Sequence, residues 1–169
     1  WVSTRSEGFL ADCHGRSNIV EAELALDRDR KFLAMRMRWI NDMGAYLSPG
    51  ASGHIRNTGI CMSGLYHIPP LHALYRVALP NTTPISPYRG AGRPEATYAI
   101  ERAIDALADT TGIDPMELRQ RNFIRKEQFP YTAMTGLVYD SGDHEAAAAK
   151  AAELADYAGV RRRQAGQNV

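Results

Sequence analysis

The residues best suited to chemistry lie in a glycine-rich stretch near the middle of the chain, residues 87–96 (PYRGAGRPEA), which we call the glycine loop. Gly90 and Gly92 have no Cβ, so they can adopt positive φ and let backbone N–H groups approach a ligand closely. Two arginines add fixed positive charge. Pro94 suits the first position of a helix, where the free amides favour an anion or a metal-bound oxygen. A turn that only caps a helix would use the same residues, so both interpretations stay open.

The spacing of the glycines excludes a dinucleotide-binding loop. Gly90 and Gly92 are followed by residues 93–95 (RPE), with no third glycine where that fingerprint requires one. Residues 81–87 (NTTPISP), which precede the turn, are typical of a loop and not of the buried strand that leads into a Rossmann glycine turn.

The elements that must position the glycine loop follow from hydrophobic periodicity. Apolar and polar residues alternate over residues 19–27 and again over residues 33–39, with a charged turn between them, which predicts a β-hairpin. Residues 9–14 and 74–79 are predicted as further short strands. Residues 41–70 lack periodicity and are rich in glycine, serine and proline, so they are predicted to form a long, partly buried loop close to a cofactor or substrate.

Three helices are predicted after the glycine loop. Apolar residues recur at steps of three and four over residues 96–108, and Gly112 supplies the stop. Asp114 and the proline after it begin a second, short helix. Asp143 caps an alanine-rich third helix that ends near Gly159, and the polar residues 161–167 are predicted to fray.

Composition and charge indicate an ordinary globular chain of 169 residues with 44% hydrophobic and 23% charged residues and a net charge of +1. That balance gives no pull toward nucleic acid, and no apolar run approaches the ~18 residues that a membrane span needs. Four basic residues after the second predicted helix are expected to face solvent or another domain: Arg119, Arg121, Arg125 and Lys126. The predicted fold class is α+β, with an antiparallel β-hairpin and strand region followed by α-helices.

Metal binding by cysteine is not encoded in the spacing of Cys13 and Cys61, which lie far apart and outside any Cys-x-x-Cys arrangement. The chain opens on Trp1, directly into structured sequence, which we interpret as the start of an internal fragment.

The motifs around the glycine loop resemble the molybdenum-binding large subunit of the xanthine dehydrogenase and aldehyde oxidase family. Within it, the pattern is most similar to bacterial members often labelled form II carbon monoxide dehydrogenase large subunits. The resemblance covers nearly the whole chain and weakens after Tyr157. It is carried by the motifs at residues 80–84 (PNTTP), 88–96 (YRGAGRPEA), 112–115 (GIDP), 118–119 (LR), 121–122 (RN), 129–131 (FPY) and 139–143 (YDSGD).

The resemblance implies an oxidoreductase that holds molybdenum on molybdopterin cytosine dinucleotide and oxidises aldehydes or N-heterocycles with oxygen from water. Electrons would pass to [2Fe-2S] clusters and FAD on a small and a medium partner subunit. The assembly would be a dimer of heterotrimers in the cytoplasm, with the periplasm as the alternative. Residues 1–169 would form part of the cofactor-binding domain: 1–80 mainly β and loop, 81–93 the cofactor loop and 94–160 mainly helical. A carbon monoxide dehydrogenase large subunit and a non-catalytic anion-binding α+β module remain the alternatives.

The resemblance also implies roles for individual residues. It assigns cofactor binding to Tyr88, Arg89, Gly90 and Gly92. The backbone amide of Arg89 would lie beside the molybdenum ligands, and Ala91 would line the substrate side. Asn57 stands where xanthine dehydrogenases hold a substrate-orienting arginine, a departure that argues against purine specificity. The general-base glutamate of the family lies outside this sequence, so no catalytic residue is expected within it, and the chain alone is expected to be inactive.

Carbon monoxide chemistry is disfavoured by one residue of the glycine loop. Family members that oxidise carbon monoxide bridge copper to molybdenum through a cysteine in a tyrosine-arginine-cysteine-serine-phenylalanine-arginine pattern. Gly90 occupies that cysteine position here. Because Cu(I) needs a soft ligand such as a thiolate, the resemblance predicts an aldehyde or heterocycle as substrate.

Overall fold

The computed structural model describes residues 1–167 and shows the α+β fold that the sequence predicts. A short 3-10 helix, Lys126–Gln128, follows the fourth α-helix. The helices are α1 (Arg5–Ala11), α2 (Gly53–Cys61), α3 (Arg93–Thr111), α4 (Pro115–Asn122), α5 (His144–Leu154) and α6 (Tyr157–Gln167), and the strands are β1 (Asn18–Leu26), β2 (Phe32–Asp42), β3 (Leu71–Ala78), β4 (Tyr131–Thr132) and β5 (Val138–Tyr139).

The predicted hairpin is confirmed as the antiparallel pair β1 and β2, in which Val20 lies opposite Trp39 and Leu24 opposite Met35. Side chains of residues 35–41 on β2 alternate between the core and solvent as a half-buried strand requires. The turn between the strands is closed by Asp27, whose carboxylate accepts a hydrogen bond of 2.8 Å from the amide of Lys31.

The third strand, β3, runs parallel to β2, which the sequence analysis did not predict. A parallel pair needs a long crossover, and residues 43–70 provide it. The prediction of one long loop over residues 41–70 was wrong in part, because β2 continues to Asp42 and the crossover contains α2. Hydrophobic periodicity does not predict this helix, because it contains two glycines and its apolar pattern is irregular. Packing against α3 stabilises it.

The strand predicted over residues 9–14 was also wrong, because α1 occupies the first half of that range. A capping box starts this helix: the hydroxyl of Thr4 accepts from the amide of Glu7, and the Glu7 carboxylate accepts from the amide of Thr4 at 2.8 Å. Only His14 pairs in β fashion, through an isolated parallel bridge to Ile85.

The core lies between the sheet and α3, whose predicted apolar stripe is buried. Trp39 and Met37 of β2 and Ile100 and Ile104 of α3 are each at most 1% exposed. Burying an aliphatic or aromatic side chain of this size contributes roughly 1.5–3 kcal/mol, so this layer is a main source of stability. It also fixes α3, and therefore the glycine loop at its start, against the hairpin.

Arg119 corrects the interpretation of the four basic residues predicted to follow the second helix, because it lies within α4. Its guanidinium is mostly buried and forms ion pairs of 2.8 Å with both Glu101 and Asp105 of α3. Burial alone would lower the pKa of the Arg119 guanidinium, but the hydrogen bonds to Asp105 and Glu101 outweigh burial and raise the pKa above its ordinary value. Arg119 therefore joins α4 to α3 and does not serve as a solvated surface charge.

The C-terminal helices begin largely as predicted but end differently. Asp114 caps α4 and Asp143 caps α5. The alanine-rich helix breaks at Asp156, where φ is 47°, and the chain continues as α6 through the residues predicted to fray. Tyr157 and Arg161 of α6 reach Asp114 at 2.9 and 3.1 Å, contacts that sequence periodicity does not reveal. None of the helices described within residues 1–167 is long and apolar enough to cross a membrane.

Candidate functional site

The glycine loop takes a left-handed backbone at three successive residues, with φ of 91° at Gly90, 40° at Ala91 and 97° at Gly92. The positive φ predicted for the two glycines is therefore observed. The amide of Arg93 donates to the carbonyl of Gly90 at 3.0 Å, and the amide of Ala96 donates to the carbonyl of Gly92 at 3.0 Å. These bonds join the turn directly to the first turn of α3.

Position 92 requires glycine because there is no room for a side chain, in addition to its positive φ. A Cβ at this position would lie 2.0 Å from the carbonyl oxygen of His54 and 2.8 Å from the hydroxyl of Thr58. Both neighbours belong to α2, so the loop and α2 approach each other closely only because residue 92 has no side chain. At Gly90 a Cβ would meet the Cδ of Pro94 at 2.7 Å, within the loop itself.

One side of the glycine loop is held by α2. The side-chain amide of Asn57 donates to the carbonyl of Ala91 at 2.9 Å. The hydroxyl of Thr58 lies 2.7 Å from the carbonyl of His54 and 3.1 Å from that of Gly92. The structure thus brings the predicted Asn57 to the loop, and it adds Thr58, which sequence reasoning missed because α2 itself was not predicted.

The other side is held by the segment between α1 and β1. Backbone bonds pin this segment to the residues that lead into the loop: His14 N donates to Pro84 O at 2.9 Å, and Ser86 N to His14 O at 2.8 Å. Arg16 extends from it to donate to the carbonyl of Arg89. Arg16 carries no sequence signal, because its role depends on contacts across more than 70 residues of chain.

The remaining predicted residues lie together in the loop. Tyr88 and Arg89 are exposed, Gly90 and Ala91 are half-buried, and Gly92 is buried. Within the described part of the chain, the amides of Gly90, Gly92 and Glu95 donate to no acceptor. Because the positive end of the α3 dipole adds to these amides, the site favours an anionic or oxygen-bearing group.

Several polar atoms beside the loop are buried without a partner in residues 1–167. They include both ring nitrogens of His54, which is 3% exposed, and Oε2 of Glu95. A cavity of about 640 Å³ adjoins the start of α3 and is lined by Glu95, Trp39 and Arg16, among others. No three side chains of His, Cys, Asp or Glu within residues 1–167 cluster in a way that could hold a metal ion. The groups that the glycine loop itself offers to a ligand are its backbone amides.

The model of the molybdopterin cofactor-binding domain family matches residues 1–123, which contain the whole glycine loop and both segments that hold it. The chain belongs to this family. A molybdopterin cofactor fits the free amides and positive charge of the loop, since such a group presents phosphate and oxo oxygens.

The sequences of several relatives with named activities match most of this chain. The carbon monoxide dehydrogenase large chain of Hydrogenophaga pseudoflava is 37% identical over 98% of this chain and 21% of the relative. Among solved structures, quinoline 2-oxidoreductase from Pseudomonas putida 86 superposes with a TM-score of 0.90 at 31% identity, over 99% of this chain and 22% of that one. A Cu,Mo-CO dehydrogenase superposes with a TM-score of 0.81 at 36% identity, over 91% and 20% of the two chains. The chain thus spans about a fifth of the length of these relatives.

Proposed function

We propose that this chain supplies one wall of the cofactor site in a molybdenum hydroxylase that oxidises an aldehyde or an N-heterocycle. The carrying observation is the glycine loop itself: three left-handed residues at the start of α3, with amides free of acceptors in the described chain. Tyr88, Arg89, Gly90 and Gly92 would hold the cofactor, with the Arg89 amide nearest the metal ligands. Bound molybdenum would supply the two-electron redox chemistry.

The reaction would replace a C–H bond of the substrate by C–OH, taking the oxygen from water and releasing two protons and two electrons. Ala91 would line the substrate side of the loop. Asn57 stands beside it and, through its bond to the Ala91 carbonyl, would shape that side by setting the position of the backbone. As an uncharged amide it offers no counterion for an anionic substrate, which suits an aldehyde or a neutral ring.

The proposal extends to the form of the cofactor, the partner subunits and their assembly. The cofactor would be molybdopterin cytosine dinucleotide, and electrons would leave through [2Fe-2S] clusters of a small subunit to FAD of a medium subunit. The assembly would be a dimer of such heterotrimers in the cytoplasm. The family's general base would come from a part of the enzyme other than these residues.

Carbon monoxide dehydrogenase is the second candidate, because that relative is 37% identical to the chain. The glycine loop argues against it, since position 90 offers no thiolate for Cu(I). Cys13 is exposed and Cys61 half-buried, and neither belongs to the loop.

The intact enzyme that contains this chain tests the proposal. It should contain molybdenum and reduce an artificial electron acceptor with members of a panel of aldehydes and N-heterocycles, and faster than with carbon monoxide. Turnover of carbon monoxide that depends on copper, with none on the panel, would favour the second candidate. The isolated residues 1–169 serve as the control and should hold no molybdenum and show no turnover, because the loop is only part of a cofactor cage.

A further inference from the structure

We propose that Arg16 is a positioning residue that sets the direction of the Gly90 amide. The inference rests on the proposed function, in which the glycine loop faces the molybdenum cofactor. Arg16 donates to the carbonyl oxygen of Arg89, which belongs to the peptide bond between Arg89 and Gly90.

The geometry of the peptide bond carries the effect from Arg16 to the amide. This peptide is trans, so its C=O and N–H groups lie in one plane and point in opposite directions. Holding the Arg89 carbonyl toward Arg16 therefore turns the Gly90 N–H away from Arg16. That N–H donates to no acceptor within residues 1–167, so it is available to a group outside the described chain.

Three contacts of the guanidinium hold Arg16 in this position. Besides the Arg89 carbonyl, its Cζ lies 4.8 Å from the centre of the Tyr88 ring, and its Nε lies 3.7 Å from a carboxylate oxygen of Glu95. The Glu95 side chain is only 9% exposed. A planar guanidinium can stack on a ring and donate at its edges simultaneously, whereas a lysine ammonium cannot, so the arrangement is specific for arginine.

The backbone around Arg16 is held independently of its side chain. Arg16 itself has φ of 57°, and the neighbouring Gly15 packs so closely that a Cβ there would lie 2.8 Å from the Cβ of Tyr88. The bonds of His14 to residues 84 and 86 hold the same segment. Truncating the Arg16 side chain should thus leave the fold intact while it releases the Arg89–Gly90 peptide, together with the contacts to Tyr88 and Glu95.

Arg102 provides a matched control for charge and location. It lines the same cavity as Arg16, but its guanidinium pairs with Asp105 on the surface of α3 and makes no hydrogen bond to the glycine loop. Loss of a positive charge from the cavity is therefore common to Arg16→Ala and Arg102→Ala, and only the former frees the loop peptide.

The test compares Arg16→Ala, Arg16→Lys and Arg102→Ala in the intact enzyme. Molybdenum content, the Mo(V) electron paramagnetic resonance spectrum of the reduced enzyme, and kcat and KM per molybdenum are measured for each. Mutation of a residue that orients groups around a metal typically lowers activity by about 10–100-fold, so we expect a loss of about that size in kcat per molybdenum for Arg16→Ala. We also expect an altered Mo(V) spectrum, an intermediate Arg16→Lys and wild-type behaviour for Arg102→Ala.

The outcomes separate the inference from the proposed function. A wild-type spectrum and wild-type turnover per molybdenum in both Arg16 variants would overturn the role of Arg16 while leaving the molybdenum site in place. If Arg16 had only a structural role, its replacement would lower thermal stability and molybdenum content, but the molybdenum-loaded enzyme would keep wild-type turnover and a wild-type spectrum. That result would also overturn the positioning role of Arg16. If Arg16→Ala does not fold, Arg16→Lys decides by the same two readouts. Wild-type enzyme without molybdenum would instead contradict the proposed function.

Discussion

The side-chain amide of Asn57 and the backbone carbonyl of Ala91 are joined by a hydrogen bond of 2.9 Å. Asn57 lies in α2 and Ala91 at the centre of the glycine loop, 34 residues apart in the chain. The two residues assigned to the substrate side by family resemblance are thus in contact with each other. Any effect of Asn57 on a substrate would act at least partly through the position of Ala91.

Replacing Asn57 should therefore disturb the loop. In Asn57→Asp the new carboxylate cannot donate to the Ala91 carbonyl and repels it, so we expect turnover per molybdenum to fall about tenfold, the equivalent of one lost hydrogen bond of ~1.4 kcal/mol. Steady-state kinetics of the intact enzyme measure this. Arg28→Ala, a change at an exposed position in the hairpin turn, is the control and should be silent. Equal activity in all three proteins would show that the Asn57 bond does not matter for the loop.

Gly92 and Gly112 form a matched pair at the two ends of α3. Both have a left-handed backbone, but a Cβ at Gly92 would lie 2.0 Å from the His54 carbonyl, whereas a Cβ at Gly112 meets no described atom within 4 Å. Gly112→Ala should cost only the left-handed penalty of roughly 1–2 kcal/mol. Gly92→Ala should cost clearly more and also lower molybdenum occupancy, as measured by thermal unfolding and metal analysis.

Valine at either loop glycine extends the same test. Gly90→Val and Gly92→Val should reduce turnover or cofactor content far more than Arg28→Ala, which changes an exposed residue of the hairpin turn. If the valine variants kept wild-type activity, the loop would be no more than a cap for α3.

Asn122 should be among the most sensitive polar residues for stability. It is 3% exposed, accepts from the amide of Phe32 at 2.8 Å and donates to the carbonyl of Arg30 at 2.9 Å, which ties the end of α4 to the hairpin. Asn122→Ala leaves both backbone groups without this partner, so we expect a loss of about 2–4 kcal/mol in the free energy of unfolding. Chemical denaturation measures it. A loss no larger than that of the exposed Asn81→Ala would contradict the assigned role.

Asp42 should make stability depend on pH in the acid range. Its carboxylate accepts from the amide of Gly44 at 2.7 Å and from Ser17 at 3.0 Å, and these bonds hold its pKa below the ordinary 3.8. The unfolded chain therefore takes up the proton first, so the stabilisation is complete above pH 3.8 and is lost as pH falls through the lower folded pKa. Asp42→Asn should lower the melting temperature at pH 7, and its difference from wild type should shrink below pH 3.8. A difference that grows on acidification would contradict this sign.

Sequence alone determined the elements whose signals are local. The alternation of β1 and β2, the apolar stripe of α3, and the caps at Gly112, Asp114 and Asp143 each depend on residues within a few positions of one another. The glycine loop was recognisable for the same reason, because it consists of ten consecutive residues. The family resemblance rests on this loop together with other short motifs within residues 80–143.

Tertiary structure decided what holds the loop. Helix α2, with two glycines and no clear apolar face, forms because it packs on α3, and it thereby brings Asn57 and Thr58 to the loop backbone. The direction of β3 follows from that crossover. Arg16 reaches the loop from the opposite side across 73 residues of chain. No local periodicity encodes such contacts, because their free energy comes from neighbours that only the folded chain brings together.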